Sequence, residues 1–230
     1  MAGVLLAWQA GAQAGAVTYL LDQSNVDSAL PDRTPYATVR IDDSTPGQLT
    51  FTVTLLPALT GLAGTNFGLQ SLDLNVLGTV MPLADAGGSN AQWTLPSGWA
   101  ALVAPPPNQA DGFGKFEVEV AATGSNRASP LVFSISTAGT SLGLYSFAEA
   151  STGNAAQGSV YFAVHVAGFS ASNGSCGGGY GTSGSGGCTT VTSGYFGGSS
   201  LAPVPLPAGL PLLLGGLALL GRQRRLRPPA

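Results

Sequence analysis

Apolar and polar residues alternate along most of the central chain, which is the pattern of a strand with one buried face. The clearest example is QLTFTVTLL at residues 48–56, where large apolar residues alternate with three threonines. FGKFEVEVA at residues 113–121 alternates in the same way between apolar and charged residues. Similar but mostly shorter patterns predict further strands at residues 17–21, 38–42, 131–137, 159–169 and 191–196.

Residues 67–77 also alternate, but the apolar face changes between Ser71 and Leu72. Such a change indicates a β-bulge or two short strands. Turn sequences such as DSTPG at residues 43–47 and Asp111-Gly112 separate the patterns. A helical turn or two is expected only at residues 139–150. The chain is therefore predicted to be all-β, with a single antiparallel, jelly-roll-like β-sandwich over residues 17–198.

The composition favours a folded domain that carries few charges. Charged residues make up 8% of the chain, against roughly 25% in a typical soluble domain. Hydrophobic residues account for 44%, which is enough to build a core, although there are 34 glycines. A disordered chain would instead combine low hydrophobicity with high charge.

Half of the basic residues lie in the last nine positions. The rest of the chain has four basic and eleven acidic residues, so its formal net charge is −7. Such a body repels a phosphate backbone, which argues against nucleic-acid binding.

The C-terminus has the pattern of a membrane anchor. From Val204 onwards, 18 residues carry no charge, a length near the lower limit for crossing a bilayer. We expect a transmembrane helix over residues 208–221. Basic residues directly after it stay on the cytoplasmic side, which leaves the body outside the inner membrane; they are Arg222, Arg224, Arg225 and Arg227.

The last 27 residues resemble the C-terminal sorting signal of PEP-CTERM proteins, in the variant with VPLPA in place of the commoner Pro-Glu-Pro core. The motif, the apolar run and the basic end occur in the same order as in that family. The resemblance implies a sorting motif that an exosortase recognises and cleaves during export. It also implies a Gram-negative host that produces extracellular polysaccharide. The motif residues are Val204, Pro205, Leu206, Pro207 and Ala208.

The remaining boundaries follow from export. Residues 1–16 are interpreted as a signal peptide, truncated at its start, that ends at a small-residue cleavage site. Residues 199–203, which are small or proline, are interpreted as a linker to the tail.

Cys176 and Cys188 flank a glycine-rich stretch of eleven residues. Export would expose them to an oxidising compartment, so a disulfide between them is predicted, with free thiols as the alternative. Zinc would need further ligands, and no histidine or other cysteine lies nearby in the sequence.

One motif favours an enzyme. GTSLG at residues 139–143 matches G-x-S-x-G, and Glu149 and His165 follow in the order of an α/β-hydrolase triad. That scaffold needs several helices, and the sequence of the body predicts almost none. His165 is therefore interpreted as a strand-face residue, and a small hydrolase that uses Ser141 and His165 remains the alternative.

The sequence also contains candidate binding residues. Trp93 and Trp99 could stack on sugar rings, and so, more weakly, could Tyr180 and Tyr195, but large aromatic residues are more often part of the core. Early aspartates between residues 22 and 43 could hold calcium, although solvated turns are the preferred interpretation. No catalytic residue, metal site or cofactor is predicted.

Together these features predict an exported, membrane-anchored, exosortase-processed surface or matrix protein. Its role would be structural or binding, in association with exopolysaccharide. The alternatives are the small hydrolase and an uncleaved, anchored carbohydrate-binding domain.

Overall fold

The described part of the chain consists almost entirely of antiparallel strands. The computed structural model describes residues 15–77, 93–136, 142–173 and 189–202, with side chains at all of these positions except 104–107, 173 and 189. The strands are β1 (Ala16–Leu21), β2 (Gln23–Ser24), β3 (Ala37–Asp42), β4 (Gln48–Leu55), β5 (Ala63–Leu74), β6 (Trp93–Thr94), β7 (Trp99–Ala110), β8 (Gly114–Ala122), β9 (Leu131–Ser136), β10 (Phe162–Asn173), β11 (Thr189–Gly198) and β12 (Ser200–Leu201).

These strands form two six-stranded sheets. Sheet A has the order β12-β1-β3-β4-β9-β6, and sheet B has the order β2-β11-β10-β5-β8-β7. A large apolar cluster contains residues from both sheets, including Phe51 of sheet A and Phe162 of sheet B. The predicted all-β class is confirmed, and the arrangement is sandwich-like.

The period-two patterns predict the strands closely. In β4, Leu49, Phe51 and Val53 are at most 2% exposed, and the threonines between them are half-buried on the other face. The alternation is that of a strand that packs one face on a core. The ends of the predicted strands at 38–42, 48–56, 113–121 and 131–137 lie within one residue of those observed.

β5 contains the irregularity that its sequence predicts. The register of its pairing with β10 shifts by one residue between Ser71 and Leu69, which confirms a bulge. Beyond the bulge, Leu72 and Leu74 belong to the core. Ser71 and Asp73 alternate with them and therefore face the outer side of sheet B.

Several elements differ from the expectations, since neither β7 nor the short strands β2 and β6 are among the predicted strands. β7 was not predicted, because Pro105–Pro107 lie within it; proline is tolerated there because β7 is an edge strand. Described residues 142–150 form turns instead of a helix, and the one helical turn of the described chain is α1 (Pro57–Thr60).

The expected linker at 199–203 needs correction. Ser200 and Leu201 pair with β1 as an edge strand of sheet A, and the N–H of Ala202 donates to the carbonyl of Thr18 at 2.8 Å. The Ser199 hydroxyl accepts a hydrogen bond from the N–H of Tyr161. Residues 199–202 therefore belong to the folded domain, because their backbone polar groups complete the edge of the sheet.

Aromatic pairs lie in the core, some between the two sheets and some within sheet A. Tyr19 of β1 packs against Phe162 of β10, with ring centroids 4.9 Å apart. Phe51 stacks on Phe133 at 4.8 Å and meets Phe147 edge-on at 4.9 Å. These distances lie within the favourable range for aromatic pairs.

The turn between β7 and β8 crosses the outer face of sheet B. We call residues Ala110–Phe116 the strap. Asp111 Oδ2 accepts a hydrogen bond of 3.0 Å from the side chain of Asn25, which follows β2 at the opposite edge of the sheet. The carbonyl of Gly112 accepts from the N–H of Gln157. The strap therefore reaches from the β7 edge to the β2 edge.

A small second core holds the strap in place. Phe113 and Phe116 pack with Val160 and Ala163, and Tyr195 packs against this cluster. Gly197, which is opposite Ala163, leaves the space that the Phe113 ring needs. The outer face of sheet B is consequently covered along part of its length.

Replacing Phe51 by alanine is expected to lower the free energy of unfolding by about 3–5 kcal/mol, because it leaves a cavity between Phe133 and Phe147. Urea titration followed by circular dichroism measures this loss. Val132→Ala, on the neighbouring strand but 45% exposed, is the control and should cost about 1 kcal/mol or less. Equal losses in the two variants would contradict the assigned core.

Replacing Gly197 by alanine is expected to lift the strap. The added Cβ would lie 2.9 Å from two Phe113 ring carbons and 3.0 Å from Val160 Cγ2, and such overpacking costs about 1–3 kcal/mol. Hydrogen exchange of residues 110–116 should become faster. Gly143→Ala is the control, because nothing lies within 4 Å of its added Cβ; unchanged exchange in Gly197→Ala would show that Phe113 does not dock there.

Candidate functional site

Two carboxyl side chains face each other on the outer side of sheet B. Asp73 on β5 is directly opposite Glu119 on β8, a pairing that places the two Cβ atoms about 4.5–5.5 Å apart. Asp73 is 2% exposed, and Glu119 is half-buried. Neither carboxyl forms an ion pair with another described residue. The ion pair in the described part of the structure joins Arg40 to Asp42, on sheet A.

Burial keeps both carboxyls protonated to higher pH than exposed acids. It raises the pKa of Asp73 well above its ordinary value of 3.8, and the neighbouring charge of Glu119 raises it further. Burial also raises the pKa of Glu119, which a hydrogen bond with Ser71 partly offsets. Ser71 has a single hydroxyl proton, and in the structure this proton is donated to Asp73 Oδ2 at 3.3 Å. Ser71 thus connects two acids that lack a positive partner.

Two stacked rings lie beside the carboxyls. His165 on β10 is opposite Ser71 on one side and Tyr195 on the other. The rings of His165 and Tyr195 are 4.5 Å apart and 10° from parallel. Burial, with a smaller effect from Arg127, lowers the pKa of His165, so this side chain is neutral at pH 7. Burial also raises the pKa of Tyr195. The negative charges of Asp73, Glu119 and Asp111 raise it further, and that of Asp73 has the largest effect of the three.

The position of His165 agrees with the strand-face interpretation. The apolar residues that alternate with it, Phe162, Val164 and Val166, are 0% exposed. Ala163, on the His165 face, is also buried because the strap covers it.

The strap and a second loop border this polar surface. The strap lies on one side, next to Tyr195. On the other side, the loop between β8 and β9 folds back so that Leu69 and Ala128 exchange two backbone hydrogen bonds of 2.9 and 3.3 Å. We call the surface between them, formed by Ser71, Asp73, Glu119, His165 and Tyr195, the outer cleft.

The outer cleft combines hydrogen-bond acceptors with an aromatic wall. Carboxylates accept hydrogen bonds from hydroxyl and ammonium groups, and aromatic rings offer apolar surface. A few polar groups beside aromatic side chains are the usual content of a small-molecule site. The arrangement therefore fits a ligand that has both polar groups and an apolar face.

The same residues do not form a nucleophile–base pair. The Ser71 hydroxyl points to Asp73, and no hydrogen bond joins it to His165 in the described structure. A hydrolytic serine needs its base within hydrogen-bonding reach. Ser141, the serine of the hydrolase alternative, lies outside the described residues.

The two tryptophans occupy different environments. Trp99 belongs to the core and is 9% exposed, so it offers little ring face to a sugar. Trp93 is partly buried against Phe133, at a ring distance of 5.8 Å, and its indole N–H is buried without a hydrogen-bond partner in the described structure. Neither lies on the strands that form the outer cleft.

Three of the five early aspartates have structural roles. Asp32 accepts a hydrogen bond from the N–H of Ser24, Asp43 accepts from Gly15, and Asp42 pairs with Arg40. Within the described ranges, no group of three or more His, Cys, Asp or Glu side chains is arranged to hold a metal ion.

The other predicted residues fall outside the described ranges. They are the cysteines Cys176 and Cys188, the sorting motif Val204–Ala208, the expected helix at 208–221 and the arginines at 222–227. Among the residues that the structure does describe, no helix has the length and apolar character needed to cross a membrane.

The chain matches no protein-family model, no curated protein and no solved structure. A function must therefore be argued from the outer cleft and from the sequence of the two chain ends.

Replacing Asp73 by asparagine is expected to stabilise the domain at pH 7, by about 1 kcal/mol or more, because burial disfavours the ionised form of the Asp73 carboxyl and asparagine does not ionise. A carboxyl whose pKa is raised in the folded state stabilises the fold below pH 3.8. This contribution is lost as the pH rises through the raised pKa. The gain should therefore vanish below about pH 3.8. Thermal unfolding from pH 3 to pH 8 tests this.

The control for this prediction is Asp27→Asn, which removes an exposed carboxyl and should leave the pH dependence in place. If Asp73→Asn is less stable than the wild type at every pH, Asp73 is an ionised, favourable group and the assignment is wrong.

Proposed function

We propose that this protein is an exported, C-terminally anchored component of a bacterial cell surface or extracellular matrix, and that it binds polysaccharide through the outer cleft. The role is structural or binding, not enzymatic. The observation that carries the binding proposal is the meeting of Asp73, Glu119, His165 and Tyr195 on one face of sheet B.

Carbohydrate suits this face better than other polymers. Sugar rings have hydroxyl groups that donate to carboxylates and apolar faces that pack on aromatic rings. The acidic body repels nucleic acids and other polyanions. Neutral or positively charged polysaccharides meet no such repulsion.

The anchoring proposal is supported by the sequence of the tail. VPLPA, the apolar run and the arginines follow one another at residues 204–230, as in exosortase substrates of the PEP-CTERM type. The described sheet ends two residues before Val204, with the hydrogen bond from Ala202. In this proposal residues 208–221 form a transmembrane helix in the inner membrane, and an exosortase removes the tail.

Three finer features belong to the same proposal. Residues 1–16 act as the signal peptide, and Cys176 and Cys188 form a disulfide after export. The connections of the sandwich are jelly-roll-like, which is supported by the repeated passage of the chain between the sheets: β1, β3 and β4 lie in sheet A, while β2, β5 and β8 lie in sheet B.

An uncleaved, membrane-anchored carbohydrate-binding domain is the nearest alternative. It shares the binding site and differs only in the fate of the arginines at residues 222–227. The hydrolase that uses Ser141 and His165 is less favoured, because the His165 ring stacks on Tyr195 and lies beside Ser71 instead.

The proposal predicts two properties of the protein recovered from the cells that make it. It should sediment with their purified exopolysaccharide, and its intact mass should lack the arginine-rich end. Tyr195→Ala should weaken binding up to about tenfold, since an aromatic contact contributes about 0.5–1.5 kcal/mol. Tyr145→Ala, a similar change at a 62% exposed site, is the control.

The two measurements separate the parts of the proposal. A protein that migrates freely in the presence of the polysaccharide would remove the binding role. A mature protein that retains residues 222–227 would replace exosortase processing by permanent anchoring.

A further inference from the structure

The Asp43 carboxyl binds the backbone nitrogen of the residue that precedes β1. The N–H of Gly15 donates to Asp43 Oδ1 at 2.5 Å, and the N–H of Asp43 donates in return to the carbonyl of Gly15 at 3.1 Å. The next residue, Ala16, is opposite Asp42 in the pairing of β1 with β3. Gly15 and Ala16 are therefore part of sheet A, and a carboxylate is directed at the nitrogen of Gly15.

This nitrogen belongs to a bond that removal of a leader would cut. A secretory signal peptide ends in a small-residue motif of the A-x-A type. The chain has two overlapping motifs of this type, AQA at residues 12–14 and AGA at residues 14–16. A cut after the first motif converts the Gly15 amide into a free amino group. A cut after the second removes Gly15 and makes Val17 the first residue.

The second cut would damage the sheet. A chain that began at Val17 would lose both hydrogen bonds of Gly15 and the pairing of Ala16 with Asp42. It would also place a charged amino group on a core residue, since Val17 is 7% exposed, and a poorly hydrated charge is costly. The first cut leaves every one of these contacts in place.

The charges around Gly15 also favour an amino group there. Asp42 pairs with Arg40, and its Oδ1 accepts from the N–H of Ser44. Asp43, in contrast, forms no ion pair with another described residue. An ammonium group has three N–H donors and a positive charge, whereas a peptide nitrogen has one donor and none. Hydrogen bonds between ionised groups are about twice as strong as neutral ones, so cleavage would strengthen the contact that Asp43 already makes.

The first residue of such a chain also has to be small. A Cβ added to Gly15 would lie 3.2 Å from Cδ1 of Leu144 and 3.8 Å from Asp43 Oδ1. A larger side chain would therefore press on Leu144 and move the nitrogen away from the carboxylate. Glycine meets this requirement.

We propose that the leader is cut between Ala14 and Gly15, and that the Asp43 carboxylate binds the new α-ammonium group of Gly15. This inference rests on the proposed export and names the bond that is cut, two residues before the boundary at residue 16. The step is a hydrolysis by a signal peptidase. Water adds across the peptide bond, so that the carboxylate stays on Ala14 and the amino group, which takes up a proton, stays on Gly15.

The ion pair would fasten the strand on which the tail depends. β12 pairs with β1 alone, and the N–H of Ala202 donates to the carbonyl of Thr18. Because the two strands are antiparallel, the start of β1 and the end of β12 lie at the same end of sheet A. Chain ends fray unless they are tied down. A bound Gly15 would therefore hold β1 in place where the chain continues towards Val204.

The pairing makes stability depend on the charge of the amino group. A free α-amino group has a pKa of about 7.7–8.0, and the Asp43 carboxylate raises the pKa of this group in the folded protein. Its contribution is complete below the unfolded pKa and is lost as the pH rises through the raised value. The other charged groups at this corner, Asp42 and Arg40, pair with each other.

The test starts from the mature protein recovered from the cells that make it. N-terminal sequencing should read Gly-Ala-Val-Thr, from Gly15 onwards. Reductive methylation with ¹³C-formaldehyde then marks the α-amino group and the single lysine, whose signal is identified in Lys115→Arg. In an NMR titration, the α-amino pKa should lie above about 8.0 in the wild type and fall to about 7.7–8.0 in Asp43→Asn.

Thermal unfolding provides the second measurement. At pH 6, Asp43→Asn should lower the Tm by about 2–4 °C, the shift expected when a domain of this size loses one charge-assisted hydrogen bond. The difference should shrink at pH 10, where the amino group is neutral. Asp27→Asn removes the same charge at an exposed position and should change the Tm by less than about 1 °C at either pH.

The outcomes separate this inference from the proposed function. A mature chain that starts at Val17 would overturn the inference and leave export in place, whereas a chain that retains residues 1–14 would remove the leader as well. An equal loss of Tm at pH 6 and pH 10 would show that Asp43 does not bind an ammonium group. If Asp43→Asn fails to fold, the wild-type titration still decides, because an α-amino pKa at its ordinary value contradicts the ion pair.

Discussion

The packing of aromatic side chains between the two sheets is the contact on which the rest of the structure depends. Contacts such as Tyr19–Phe162 fix which residues of each strand point inward. Because side chains alternate along a strand, the residues between them must point outward. The same contact that builds the core therefore places Asp73, Glu119 and His165 on the outer face. A slip of one residue in β5 would bury Asp73 in the core and expose Leu72.

The bulge and the strap determine which residues lie on this outer face and how far they are buried. The extra residue in β5 near Ser71 changes which residues face outward, as bulges do near many functional sites. The strap then removes water from one side of the face, with Phe113 over Gly197. Exposed carboxyls at the same positions would interact weakly with a ligand in water. Partial burial strengthens each electrostatic interaction.

The sequence predicts the faces of the strands but not their neighbours. Alternation in FGKFEVEVA and around Leu72 already places Glu119 and Asp73 outside, and the interpretation of His165 follows the same rule. β5 lies between β8 and β10 in sheet B, and no local pattern encodes these pairings, because they depend on how the whole chain is connected. The meeting of two acids with Tyr195 was consequently missed. β7 was missed for a different reason, since an edge strand tolerates prolines that would exclude a central one.

The fold does not need the carboxyl pair. Apolar residues at 73 and 119 would still give β-strands, and replacing buried charges by apolar groups is often neutral or stabilising. Two neighbouring acids with raised pKa values therefore lower the stability of the domain at neutral pH. In a sequence with only 8% charged residues, two of them are directly opposite each other in sheet B. Folding alone gives no reason for this placement, since a sequence that only had to build the sheet would avoid it.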